Sequence, residues 1–322
     1  MNKKIKVWLI VASCFVFVGA ILFVISMSIN DWNFKKLGSQ NFETNTYEFT
    51  DEFNNIMINT NTANIDFKYS IDDKCRVVCY ENKKEKHNTS IENDTLNINR
   101  VNEKKWYDYI NLFSNSPKIT IYLPVLEGAN LSINISTGDV EIIEDFTFES
   151  IFISGSTSDV KCFASSKKQT KIHVSTGDIS IENANAESYD LSSSTGKIKL
   201  NNVNATGEIK LKVSTGKNHL INVNCKNIIS TGSTGDIKLT NVIASNSISI
   251  KRDTGDVEFE MSDAVELVIT TSTGDVEGTL LSDKIFIVRT NTGDIDVPKS
   301  VTGGKCEITT DTGDIDIIII ND

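Results

Sequence analysis

Histidine is nearly absent from this 322-residue chain: His87, His173 and His219 are scattered, and no Cys-x-x-Cys pair accompanies them. That spacing argues against a zinc site. Cysteine is little better supplied. Cys14 lies in an apolar run, and the other five (Cys75, Cys79, Cys162, Cys225 and Cys306) are odd in number, which excludes a complete disulfide framework. Cys75 and Cys79 would sit about 13 Å apart on an extended strand, too far for a bridge. Proline is limited to three residues. No Ser-His-Asp trio, paired-carboxylate motif or phosphate loop is present, so the convergent group of unlike residues that catalysis needs is missing. Basic residues are a minority. Lys3, Lys4 and Lys6 precede the apolar run, and the remainder carries 29 basic against 43 acidic residues, a net −14. Such an acidic surface argues against nucleic acid and anionic lipid headgroups as partners; it suits solubility, cations or basic polymers.

What is present begins with a long apolar segment. Val7 to Ile29 holds no charged residue, long enough to cross a bilayer core as a helix. Three lysines and no acid come before it, so the positive-inside rule keeps residues 1–6 in the cytoplasm and exports the rest. A cleaved signal peptide would have a shorter apolar core. Val11-Ala12-Ser13-Cys14 resembles a lipobox, but fifteen apolar residues follow Cys14 where a lipoprotein turns polar. An uncleaved anchor at 7–29, followed by a linker at 30–44, is the expected arrangement.

The strongest signal is an internal period. Ser-Thr-Gly-Asp or a close variant recurs with its glycine at Gly138, Gly177, Gly196, Gly216, Gly235, Gly255, Gly274, Gly293 and Gly313, and Ser158 takes that place once. Neighbouring positions are 19 or 20 residues apart. Apolar residues form columns around the motif: Ile133, Ile153, Ile172, Leu191 and Leu211 five places before it, Val140, Val160, Ile179 and Ile198 two places after it. Alternation marks β-strand. The phase changes across the motif, so a straight strand would turn one set outward; Thr-Gly must be a corner. Gly supplies the backbone freedom there, and Asp is expected to bond its own nearby backbone. One repeat is one coil of strand, corner, strand and return turn, the return carrying Asn and small residues such as Glu182-Asn183-Ala184-Asn185. A single coil cannot bury its columns, and stacking does. The expected fold is all-β, a parallel solenoid of ten coils over 131–322, a rod of roughly 50 Å. Antiparallel hairpins would not repeat this register.

Residues 45–130 are less periodic and read as irregular coils and a cap, since a solenoid end must be covered. Asn54–Lys68 resembles a degenerate coil; Arg76–Tyr80, Thr95–Ile98 and Lys118–Leu123 are strand-like; Asn82–Asn88 (NKKEKHN) reads as a charged turn. The insertion Lys104–Phe113 offers Trp106, Tyr107 and Tyr109 as candidate ligand contacts, or a lid over the first coils. At the other end, Ile317–Ile320 reads as the bare edge of the last coil.

The Ser-Thr-Gly-Asp repeats, the N-terminal anchor and a segment ending Ile119-Thr-Ile-Tyr-Leu-Pro124 together resemble the DUF4097 family over about residues 45–320. These are adhesin-type envelope proteins of Gram-positive-type bacteria, some encoded with envelope-stress regulators. The resemblance implies a right-handed β-helix and supplies no catalytic residue.

Stacked carboxylates about 5 Å apart repel one another, which makes Asp236, Asp256, Asp275, Asp294 and Asp314 candidate calcium ligands, or turn caps screened by solvent. Lys197 and Lys217 interrupt the column, and the denser glycine pattern of calcium β-rolls is missing. No other cofactor is expected. The functional expectation is a membrane-anchored, extracytoplasmic adhesin or envelope-binding module without catalysis, meeting an envelope glycan or surface protein through faces that repeat. The alternative is a structural or envelope-stress accessory that partners other membrane proteins.

Overall fold

The structure is a computed structural model and describes residues 3–29, 32, 42–102, 116–125, 128–143 and 145–320. Lys3–Ile29 is one helix, long and apolar enough to cross a membrane. The rest of the described chain is almost entirely strand, wound as a parallel β-solenoid; the ten motif positions bound about nine turns.

Alternation sets the strands and the corner glycine ends them. Asn130–Thr137, Ser150–Thr157, Gln169–Thr176, Ser188–Thr195 and Glu208–Thr215 form one wall, in parallel register. Ile133, Ile153, Ile172, Leu191 and Leu211 lie directly over one another, all fully buried. Each such side chain withdrawn from water contributes about 1.5–3 kcal/mol, an upper bound given residual burial in the unfolded chain. Val140–Ile142, Val160–Cys162 and Ile179–Glu182 begin the second wall after the corner. The nine corner glycines take φ between 120° and 151°, which side chains resist. Space forbids a side chain as well: a Cβ on Gly216 would fall 1.8 Å from the carbonyl oxygen of Gly196 one coil away. The return is a second ladder. Asn183, Asn202, Asn222 and Asn241 sit in the left-handed region near +53°, and their side-chain amides bond one to the next at 2.8–3.1 Å. Asn tolerates that conformation better than other non-glycine residues, which explains its abundance here.

The coils do not stack in chain order at the ends, which corrects the simple reading of the repeat. Strands Asn55–Thr60 and Asn64–Tyr69 lie between the first regular coil (130–142) on one side and strands Thr95–Asn102 and Lys118–Leu123 on the other. Antiparallel strands then close that end: Cys75–Asn82 against Lys118–Leu123, Phe42–Phe49 against Cys75–Asn82, and Glu85–Glu92 against Thr95–Asn102. At the far end the last coil in sequence, Gly304–Thr312 and Ile315–Ile319, is inserted between the coil ending at Leu280 and the coil Lys284–Asp296. Ile315 and Ile317 are therefore buried. Instead the outermost coil leaves Ile285, Ile287 and Ile295 about half exposed. Inserting the coil rich in isoleucine covers both of its faces, where a terminal position would cover one.

Candidate functional site

The corner aspartates do not bond their own backbone, as the sequence suggests, but cap the neighbouring coil. The Asp139 carboxylate accepts the N–H of Asp159, Asp159 that of Asp178, Asp256 that of Asp275, and Asp275 that of Asp314, at 2.8–3.2 Å. The inserted coil keeps the rule, since Asp314 accepts from Asp294 at 2.8 Å. Parallel stacking puts the next coil's amide nearer than the residue's own. Lys217, a break in the column, pairs with Asp236 at 2.8 Å, and its hydrogen bond holds the Asp236 carboxyl below its ordinary range. Through these bonds the carboxylates act as turn caps between coils.

The outer face of the first wall carries a different pattern. In spatial order one row runs Asn99, Asn59, Asn134, Ser154, His173, Ser192, Lys212, Thr231, Lys251, Thr270, Thr309 and Arg289. This row has no carboxylate, in a chain of net charge −11. Its first members form an amide ladder, Asn59 donating to Asn99 at 2.8 Å and Asn134 to Asn59 at 3.1 Å. Asn59, Asn99, Asn134 and Ser154 line a groove of about 530 Å³, with Arg100 at its side. A second groove of about 270 Å³ lies further along the same row, between Lys212, Thr231 and Lys251, with the carboxylate of Asp253 at its side. Trp106, Tyr107 and Tyr109 lie outside the described residues.

A third feature sits inside the cap, where the sequence suggests a charged turn. Lys83 and Lys84 alone make the turn; Glu85 to Glu92 is strand, so Glu85 and His87 face inward and are buried. The hairpin sets His87 beside Cys79 and Glu81, one ligand atom from each lying within 4.8 Å of the others. The imidazole Nδ1 is 2.7 Å from Glu81 Oε2 and Nε2 is 2.8 Å from Thr60 Oγ1. Asn45 donates to Glu81 Oε1 at 2.7 Å, and the His87 backbone N–H to Oε2 at 2.7 Å. Burial, reinforced by Glu81, pushes the Cys79 thiol up to about 12. The order hydroxyl, imidazole, carboxylate matches that of a nucleophilic triad. Yet Thr60 is 6% exposed and belongs to an inward-facing row. The spacing Cys-x-Glu-x5-His was visible in the sequence, but only a two-residue turn brings its ends together.

Residues 53–220 and 205–322 both match the sequence profile of Toastrack DUF4097. The chain belongs to the Toastrack DUF4097 family. No curated protein matches it. Solved structures similar to this Toastrack chain include a "putative adhesin" from Bacteroides fragilis, 18% identical, with 86% of this chain and 97% of that one covered and a TM-score of 0.42. Another "putative adhesin", from Parabacteroides distasonis, is 12% identical, with 87% and 98% covered and a TM-score of 0.49. A "putative lipid binding protein" from the same species is 15% identical, with 87% and 98% covered and a TM-score of 0.46. Likeness at this level carries no argument about what the Toastrack chain binds.

The Toastrack interior departs from its apolar columns most strongly around Arg252. Asn218 and Ser230 replace aliphatic residues, Gly232 lacks a side chain, and the Arg252 guanidinium fills the space, its Nη1 lying 1.9 Å from where a Gly232 Cβ would be. Arg252 is 1% exposed. Its Nη2 donates to Ser230 Oγ at 3.0 Å, and Asn218 donates to the same oxygen at 2.9 Å. Arg252 Nε and Nη1 and Asn218 Oδ1 have no protein partner. Burial pulls the guanidinium down to about 10, still protonated at neutral pH.

Proposed function

We propose that this Toastrack chain is a membrane-anchored, extracytoplasmic binding module of adhesin type, without catalysis, whose carboxylate-free row takes an envelope polysaccharide. The single observation that carries this reading is the row itself. An acidic protein that keeps carboxylates out of twelve successive strand positions, and lines a groove of about 530 Å³ with amides, hydroxyls and a guanidinium, presents hydrogen-bonding partners at the interstrand spacing of about 4.8 Å. A polyhydroxylated chain, neutral or anionic, meets those groups repeatedly, so weak contacts add along the rod. The 530 Å³ groove is of the size that holds a small ligand unit. The apolar helix supports anchoring, and the lysines ahead of it support a cytoplasmic N-terminus.

The test is a screen of envelope polysaccharides against the full chain in detergent. Saturable binding is expected, weakened about tenfold or more when Asn134→Asp and Ser154→Asp place carboxylates in the groove, a loss of roughly 1.4 kcal/mol. Absence of binding to every polymer, or binding indifferent to those substitutions, overturns the reading. Recovery of membrane proteins through the helix alone would favour the accessory role.

A further inference from the structure

We propose that Cys79, Glu81 and His87 form a zinc site that staples the N-terminal cap. Thiolate, imidazole and carboxylate are the donors zinc takes, and three protein ligands with one open position are a recognised zinc arrangement. All three side chains are buried, Cys79 and Glu81 fully and His87 to within 3%. Their ligand atoms lie within 4.8 Å of one another. Tetrahedral zinc, with bonds of about 2.0–2.3 Å, spaces its ligands by roughly 3.3–3.8 Å. The thiol therefore draws in and the 2.7 Å contact between His87 Nδ1 and Glu81 Oε2 opens, each by about 1 Å or less.

The outer contacts are those a metal site requires. A ligating histidine is held by a hydrogen bond on its other nitrogen, and a ligating carboxylate is itself bonded. Thr60 Oγ1 lies at 2.8 Å from His87 Nε2, and Asn45 donates to Glu81 Oε1 at 2.7 Å. Those partners come from strands Asn55–Thr60 and Phe42–Phe49, so the ion would tie the hairpin to two further strands of the cap. Charge balances: Zn²⁺ meets one thiolate and one carboxylate, with neutral imidazole. Binding releases the Cys79 thiol proton to solvent, and the neutral imidazole keeps its one proton on Nε2, which faces Thr60 Oγ1. The groove of about 380 Å³ lined by Tyr47, Lys83, Lys84, Lys86, His87, Asn88 and Val101 meets the cluster at His87, and would admit the ion and a water as fourth ligand from that side.

The experiment uses the full chain in detergent, without a histidine tag, stripped of metal and then titrated with Zn²⁺ or Co²⁺ alone. One equivalent of zinc is expected to raise the melting temperature by several degrees. Cobalt is expected to give tetrahedral ligand-field bands together with thiolate-to-metal charge transfer. Both signals should vanish in Cys79→Ser and persist in Cys75→Ser, whose thiol lies on the same strand outside the cluster. His87→Asn provides a second disabling variant should Cys79→Ser not fold. The unmodified chain decides by itself if it shows neither the charge-transfer band nor a melting shift: the site is then overturned. A band that survives in Cys79→Ser overturns it equally. These readouts are separate from polysaccharide binding: the ligand set shares no residue with the groove of the outer row, which meets the cluster only through Thr60, the partner of His87.

Discussion

Arg252 occupies a position that Val213, Val174 and Ile135 fill with hydrocarbon in other coils. A buried guanidinium with two unpartnered nitrogens is expensive, because desolvation is repaid only where every donor finds an acceptor. Gly232 makes the room and Ser230 supplies one acceptor, so three neighbouring departures from the repeat form a single arrangement. Arg252→Met removes the charge and keeps much of the volume. Its thermal stability is expected to equal or exceed that of the parent, within the range of about 1–4 kcal/mol seen when buried ions give way to apolar groups. Ser230→Ala, by contrast, strands the charge and is expected to lower stability by about 1–3 kcal/mol. Calorimetric melts of both variants check this; a large loss in Arg252→Met would mean that the guanidinium holds more than Ser230.

Two elements depart from the plain stacking rule, and both exploit alternation. The hairpin of Cys75–Asn82 and Glu85–Glu92 buries charged and polar residues on its inner side, with Arg100 bonded to Glu85 and His87 bonded to Glu81. Its inner face read as a turn because lysines and glutamates dominate the segment; alternation of Glu85, His87 and Thr89 was present but polar. The inserted C-terminal coil leaves a sharper prediction. Deleting residues 303–322 removes a layer from inside the stack rather than from its end. The coil Lys284–Asp296 then loses its pairing with Gly304–Thr312 and Ile315–Ile319. Limited proteolysis of the truncated chain is expected to cut within 284–296, strand residues that are paired in the parent. Continued protection there would show that the outermost coil can pair elsewhere.

The whole molecule is a rod closed at one end by antiparallel strands and ending at the other on a half-exposed coil. Its charge is organised by face. Carboxylates gather at the corner, where those of Asp139, Asp159, Asp178, Asp236, Asp256, Asp275 and Asp314 accept a backbone N–H from a neighbouring coil, and are kept out of the twelve-position row, although Asp253 reaches the second groove from beside it. The carboxylates of Asp236, Asp256, Asp275 and Asp314 each accept a backbone N–H through Oδ1, a tie between coils that involves no ion. Titrating calcium into the metal-free chain is expected to leave the melting temperature unchanged; a rise would identify Asp236, Asp256, Asp275, Asp294 or Asp314 as ligands after all.

The period of 19 or 20 residues, the corner at Thr-Gly and the inward columns were all legible in the amino-acid sequence, since each is a local pattern repeated many times, and so was the apolar helix, a single uninterrupted run. Ile133 over Ile153 over Ile172 follows from spacing alone. The order of the layers at the two ends does not, because a coil with the right alternation pairs equally well with any neighbour of the same register, and burial of the whole stack chooses among them. The same holds for Cys79, Glu81 and His87, and for Asn99, Asn59 and Asn134: residues far apart in the chain, or separated by a turn of unknown length, become neighbours only when tertiary pairing fixes which strands lie side by side.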